Sequence, residues 1–283
     1  MAMRRAAHQL VDVPLVFEDP LAVPILGHAT AGWLKANLDR ENSRVAKALR
    51  AFMAVRSRFA EDALAKAVER GVGQYVVLGA GLDTFAYRNP YGERLRVFEV
   101  DHPATQAWKR GQLAEAGIEP PPSMTFAPVD FERQTAMEAL AAAGFDRNEP
   151  AFFAWLGVTM YLERETVMAM FQTIASLPLG SGVAFDYGID PKLLGVVERL
   201  VLGEFARRVA AVGEPWTTFF APASLAAELR ALGFDAIDDL GPAEINERYF
   251  RGRADGLKVG TLAQLMKAEK MRPADRPSAA ASS

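Results

Sequence analysis

The sequence predicts an α/β fold: an open, doubly wound sheet of about seven mostly parallel strands with helices on both faces. Three observations predict it. Short apolar runs rich in Val, Phe and Tyr recur five times between residues 74 and 188, each the length of a buried strand and too short for a helix. The segments between them, such as residues 165–177, repeat their apolar positions every three or four residues, which is the helical period. Strands that alternate with helices pair in parallel, because each helix carries the chain back to the starting edge of the sheet.

The elements follow in chain order. Residues 1–70 form an N-terminal helical segment, clearest over 42–70, where Val45, Leu49, Phe52, Met53, Phe59, Leu64 and Val68 make an apolar stripe and Gly71 is a stop. Five strands come next: QYVVLG (74–79), LRVFEVD (95–101), MTFAPVD (124–130), AFFAWLGV (151–158) and GSGVAFDYG (180–188). An inserted helical cap is expected over about 190–232: Asp190 can cap its first helix, Pro191 suits the first helical position and Gly213 ends it, and a further helix at 224–232 stops at Gly233. FDAIDDLG (234–241) and LKVGTLAQLM (257–266) read as the closing strands of a core spanning 71–268. The last residues, 269–283, are small, polar and Pro-rich, and are expected to be disordered.

Composition narrows the function. The chain has 283 residues, half of them apolar, and a net charge of -3 with both signs interspersed. No basic field is available to neutralise a run of phosphates, so a small molecule is expected as partner and nucleic acid is not. The absence of cysteine excludes disulfides, a thiolate nucleophile and thiolate metal sites. His8, His28 and His102 are too scattered for a metal site. The apolar residues after Arg4 and Arg5 are broken by Asp12, Pro14, Glu18 and Asp19, and no stretch reaches membrane-spanning length, so a cytoplasmic protein without membrane contact is expected. Nothing in the sequence sets an oligomeric state.

In a sheet of this kind ligands bind beyond the carboxyl ends of the strands, where strand order reverses. Gly79 and Gly81 flank Ala80 at the end of the first strand, where glycines let the backbone turn tightly beside a ligand. A dinucleotide fingerprint would place a third glycine at position 84, which is Thr84. Asp101 lies 20 residues after Gly81, at the end of the second strand, where a carboxylate can take both hydroxyls of a ribose. Glu99 shares its side of the strand one pleat further in. In PVDFE, Asp130 can accept from an exocyclic amine and the backbone of Phe131 can meet a ring nitrogen, as an adenine requires. Three successive strand ends thus point to a nucleoside-bearing ligand.

The ordered set AVRSRF, VVLGAGLDTFAYR, VFEVDHP, PVDFE and WLGVTMYL, within a stretch running from PLVFEDPLA to RYFRGRADGL, resembles the leucine carboxyl methyltransferase family, and in particular its bacterial branch. The resemblance implies a class I methyltransferase core, Rossmann-like, with a helical cap, and S-adenosyl-L-methionine as cofactor. It further implies that Arg56 holds the methionine carboxylate, that Gly79, Ala80 and Gly81 form the turn beneath it, and that Asp101 takes the ribose with His102 packed beside. Asp130 and Phe131 then take the adenine. Leu156 lies on the methyl side, where many relatives carry Glu, so a mechanism that needs a carboxylate there is put in doubt. The Arg56 role has independent chemical sense, since a free amino-acid end needs a cation and a guanidinium matches a carboxylate bidentately.

The expected activity is O-methylation of a carboxylate or a phenolic hydroxyl on a small acidic or aromatic metabolite. It is expected to be metal-independent, because WLGVTMYL offers no acids to hold a cation. No catalytic residue is assigned beyond His8, the candidate base in a segment that could fold over the pocket. Trp216, Tyr249 and Arg253 are the acceptor-side candidates, with Arg253 as the anchor for an acidic group. Two rivals remain open: a nicotinamide-dependent oxidoreductase, which should show glycine at position 84 and a Tyr-x-x-x-Lys relay, and a non-catalytic regulatory protein that binds the same cofactor.

Overall fold

The structure, a computed structural model, describes residues 1–130, 134–210 and 215–275. Strands β1 (Gln74–Leu78), β2 (Arg96–Asp101), β3 (Met124–Pro128), β4 (Ala151–Trp155), β5 (Gly182–Asp186), β6 (Ala236–Leu240) and β7 (Leu265–Glu269) form one sheet in the order β3-β2-β1-β4-β5-β7-β6. The first five are parallel, and β7 runs antiparallel to both β5 and β6. Every residue of β1, β4 and β5 is buried, as expected of central strands covered on both faces.

Alternation along the strands builds two cores. On one face Tyr75, Val77, Phe152 and Ala154 pack against Val55, Phe59 and Leu64 of the long helix α3, with α1 and α2 before it (Ala2–Val11, His28–Ala36 and Arg44–Glu69 in chain order). On the other face Val76, Phe98, Phe153 and Phe185 meet Leu140 of α5 (Ala136–Ala142), Phe171 and Ile174 of α6 (Arg164–Ala175), and Leu225 and Leu229 of α8 (Pro222–Ala231). Helix α4 (Pro103–Glu115) follows β2, and α9 (Pro242–Tyr249) follows β6. The chain first moves outward from β1 through β2 to β3, then returns to β1's other side as β4. The reversal opens a cleft at the carboxyl ends of β1 and β4.

The N-terminal segment is fastened by buried charge. Arg50 of α3, 2% exposed, donates from Nε and Nη2 to the two carboxylate oxygens of Asp12 at 2.6 and 2.7 Å, and from Nη1 to the Glu41 carbonyl at 2.6 Å. This fork draws α1 down onto α3.

Three expectations are corrected. The last strand lies at 265–269 and not at 257–266. Its second half carries Lys267 and Glu269, which mask it as a strand in the sequence; Glu269 is buried there because Arg70 and Lys267 both pair with it. Order continues past 269: Lys270 Nζ donates to the carbonyls of Ala175 and Leu177 at 2.5 and 2.7 Å, and Arg272 pairs with Asp275 at 2.8 Å. Residues 276–283 lie outside the described set. Nor do residues 190–232 form one cap. The helix α7 (Val196–Ala210) exposes Val196, Val197 and Leu200 by 67–70%, whereas α8 covers the sheet. Gly213 lies outside the described residues.

Candidate functional site

A cavity of about 180 Å³ occupies the cleft, lined by Gly79, Ala80 and Gly81 of the turn after β1, Leu156 and Gly157 after β4, Arg56 of α3, and Arg5 of α1. The turn needs glycine for two reasons. Gly79 has φ +67°, and a Cβ on it would lie 2.6 Å from Val158 Cγ2, well inside contact distance. Gly157 has φ +73°, and a Cβ there would meet Arg56 Nη1 at 2.7 Å. The guanidinium lies against bare backbone.

Arg56 Nη1 donates to Asp186 Oδ2 at 3.0 Å, and Gly157 N–H donates to the other oxygen, Oδ1, at 2.5 Å. Asp186 is 1% exposed and ends β5. Sequence reasoning missed it, although an acid at a strand end was the signal already used for Asp101. Arg58 points away to solvent and pairs with Asp62 at 2.7 Å.

Asp101 stands where the spacing put it, at the end of β2. Its Oδ2 accepts from Gly81 N–H at 2.6 Å and its Oδ1 from His102 N–H at 2.7 Å, so the carboxylate is fixed beside the glycine turn and each oxygen keeps a second lone pair. His102 caps α4, with its Nδ1 accepting from Ala104 N–H at 3.2 Å. Glu99 is buried below the turn and paired with Lys109 at 2.6 Å. Burial pushes its carboxyl up while Lys109 pulls it back. Val129 N–H donates to the Asp101 carbonyl at 2.9 Å, which brings the end of β3, and Asp130 after it, beside Asp101. Phe131 lies outside the described residues.

Thr84 explains the missing third glycine. Its hydroxyl donates to Asp19 Oδ2 at 2.7 Å and accepts from Arg88 Nε at 3.3 Å. Asp19 is fully buried and also pairs with Arg5 at 2.9 Å. The residue ties the turn to the N-terminal arm, and a short 3₁₀ turn, Phe85–Arg88, follows it. A pyrophosphate held in the dinucleotide manner requires the N-terminus of a packed α-helix at that point.

The structure does not bring His8 to the cavity. Its Nδ1 donates to Asp12 Oδ2 at 2.8 Å, while Nε2 accepts from Val16 and Phe17 N–H at 3.0 and 3.3 Å. Both nitrogens are used, in the tautomer the two amide donors impose, and the ring is fully buried. Burial pushes its partner Asp12 up, but Arg50 and His8 outweigh this and hold the carboxyl at about 2. Arg253 is likewise no free anchor: Asp255 pairs with it at 2.5 Å, and neither it nor Tyr249 lines the cavity. Tyr249 packs against the α3 core. Trp216 stacks edge-on to Phe219, with its neighbour Thr217 N–H bonded to the Met160 carbonyl at 2.8 Å, beyond the end of β4. Its indole Nε1 is buried and has no acceptor among the described residues.

Among the described residues no helix is long and apolar enough to cross a membrane, and no group of three His, Asp or Glu side chains is placed to hold a metal ion.

Comparison with known proteins agrees with this fold. The sequence profile described as leucine carboxyl methyltransferase matches residues 1–175. YktD of Bacillus subtilis (strain 168), provisionally named an S-adenosyl-L-methionine-dependent methyltransferase, is 32% identical over 280 residues, covering 91% of this chain and 92% of its own. A Mycolicibacterium gilvum (strain PYR-GCK) protein with the same provisional designation is 36% identical over 199 residues, 66% of this chain and 64% of its own. In fold, the chain is similar to a DUF574 family protein from Streptomyces avermitilis (TM-score 0.57, 20% identity, 84% of this chain and 90% of that one). It is also similar to a provisionally named methyltransferase from Thermobifida fusca (TM-score 0.54, 18% identity, 84% and 88%). The chain belongs to the leucine carboxyl methyltransferase family of S-adenosyl-L-methionine-dependent methyltransferases.

Proposed function

We propose that this chain methylates an oxygen, of a carboxylate or a phenolic hydroxyl, on a small acidic or aromatic acceptor, and does so without a metal. The observation that carries the reading is the meeting of the β1 glycine turn, the Arg56 guanidinium and an apolar Leu156 in one cavity. The described residues fit the cofactor by their donors and acceptors: a cation for the methionine carboxylate, the fixed Asp101 carboxylate for the ribose, and Asp130 for the adenine amine. When bound, S-adenosyl-L-methionine supplies an electrophilic methyl group on its sulfonium.

The chain's own contribution is orientation and exclusion of water. Arg56, locked by Asp186, fixes the amino-acid end. The turn at Gly79–Gly81 lets backbone approach closely, and Arg5 of α1 reaches the Leu82 carbonyl at 2.5 Å to close the arm over the turn. Leu156 gives the methyl side an apolar wall and offers no base. A carboxylate, with an ordinary pKa near 4, needs none at neutral pH, whereas a phenol near 10 gains from one. Trp216 does not line the cavity, so its buried and unmatched N–H is not assigned to the acceptor.

The test is turnover of methyl-labelled cofactor against a panel of aliphatic acids, aromatic acids and phenols. Label in a product that mild alkali releases identifies a carboxyl ester, and label that resists identifies an ether. A chain that binds the demethylated cofactor yet labels no oxygen acid in the panel would overturn the acceptor assignment.

A further inference from the structure

We infer that Asp186 is a positioning residue for the amino-acid end of the cofactor: acting through Arg56 and the Gly157 amide, it sets the preference for a ligand that carries an α-amino-acid tail over one that ends at the sulfur. The inference rests on the cofactor reading above, in which Arg56 takes the methionine carboxylate.

The geometry begins with what Asp186 touches. Oδ2 accepts from Arg56 Nη1 at 3.0 Å, Oδ1 accepts from Gly157 N–H at 2.5 Å, and its backbone carbonyl accepts from the Thr159 hydroxyl at 2.7 Å. Asp186 is 1% exposed and is not part of the cavity wall, whereas Arg56 and Gly157 both are. Whatever the carboxylate does for a ligand therefore passes through those two.

What it does follows from the nature of arginine. A long side chain loses rotamer freedom when a ligand immobilises it, and a side chain fixed beforehand loses less. Asp186 fixes Arg56 from behind by one nitrogen, Nη1, which leaves Nη2 and Nε as donors, a pair whose spacing matches the two oxygens of a carboxylate. The guanidinium is also held from the side: the Cβ that Gly157 lacks would lie 2.7 Å from Nη1 and 3.0 Å from Nη2. The guanidinium, the Gly157 turn and Asp186 thus form one stapled unit. Parallel pairing supplies the staple, because Trp155 is in register with Phe185, so the residues that follow each strand emerge side by side. Leu156 brings no charge to this corner, and the buried carboxylate that balances Arg56 comes from β5. A buried carboxylate is retained only when paired and hydrogen-bonded, and here both partners are parts of the ligand-facing wall.

The experiment is calorimetric titration of the full chain, wild type and Asp186→Asn, with S-adenosylhomocysteine and with 5′-methylthioadenosine, which keeps the adenosine and the thioether but lacks the amino-acid tail. Asn has nearly the shape of Asp, but its amide can present a donor to Arg56 where the carboxylate accepted. For Asp186→Asn the expected result is a loss of about tenfold or more in affinity for S-adenosylhomocysteine, with 5′-methylthioadenosine changed by about twofold at most. In an Arg56→Ala background the same substitution should then have a much smaller effect on S-adenosylhomocysteine, the remainder being what passes through the Gly157 amide. If Asp186→Asn lacks a cooperative melting transition, Asp186→Glu, which keeps the charge but moves it by one methylene, is expected to show the same split. Equal weakening of both ligands, or no weakening of S-adenosylhomocysteine, would overturn the inference. A wild-type chain that binds both ligands equally would remove Arg56 from the amino-acid end, and one that binds neither would overturn the cofactor reading itself.

Discussion

A single methyl group added at Gly79 meets two separate penalties. The residue has φ +67°, and the added Cβ would fall 2.6 Å from Val158 Cγ2. The left-handed backbone costs an L-residue roughly 1–2 kcal/mol, and the overlap adds on the order of 1–3 kcal/mol unless the valine moves. Gly79→Ala is therefore expected to lower unfolding stability by about 2–5 kcal/mol in denaturant titration. Adding Val158→Ala should return the packing part and leave the backbone part. No loss on Gly79→Ala would show that the turn can be reshaped at little cost and that the glycine is not required there. Arg56 is a different kind of position. Its placement over the cavity comes from α3, but its aim comes from Asp186, 130 residues away.

At the scale of elements, α1 is held to α3 by one buried ionic contact, and that contact titrates. Asp12 has its folded-state carboxyl depressed to about 2, below its ordinary value near 4. A depressed carboxyl contributes stability that is fully present above the ordinary value and is lost as pH falls through the folded-state one. Wild type should thus lose stability between about pH 4 and pH 2 through this pair. Asp12→Asn should be less stable at pH 7 by about 3–5 kcal/mol, because Arg50 is left buried with its charge unmatched, and should lack this part of the acid dependence. Denaturant titrations of both proteins at pH 7 and pH 3 make the comparison; equal acid sensitivity would show that Asp12 does not carry it.

Some of these elements were legible in the sequence and others were not, for physical reasons. The central strands were plain because burial on both faces leaves continuous apolar runs. β7 was displaced because its two charged residues, Lys267 and Glu269, pair with each other and Glu269 also with Arg70, a partner that only the folded chain brings to the strand. The placement of Gly79, Gly81 and Asp101 was readable because it is local to strand ends. Asp186 was not, since its role depends on the β4–β5 register. His8 had a visible clue, Asp12 four residues on, but not the backbone return that brings Val16 and Phe17 amides to its other nitrogen.

For the whole molecule, the site is a product of strand order. Arg56, Gly79, Asp101, Gly157 and Asp186 belong to five different stretches, and only the reversal at β1 and β4 gathers them. Such a site exists in the folded chain alone, so its ligand stabilises the fold by mass action, by about 2.7 kcal/mol at a hundred times the dissociation constant. Binding and stability should therefore move together, and a ligand of the wrong shape should move neither. Thr84 and the short turn after it make the dinucleotide the informative contrast. The most direct measurement is the thermal unfolding of the full chain with saturating S-adenosylhomocysteine and, separately, with NADP. The expected result is an upward shift of several degrees with the first and none with the second. A shift with NADP and none with S-adenosylhomocysteine would contradict the account at its centre.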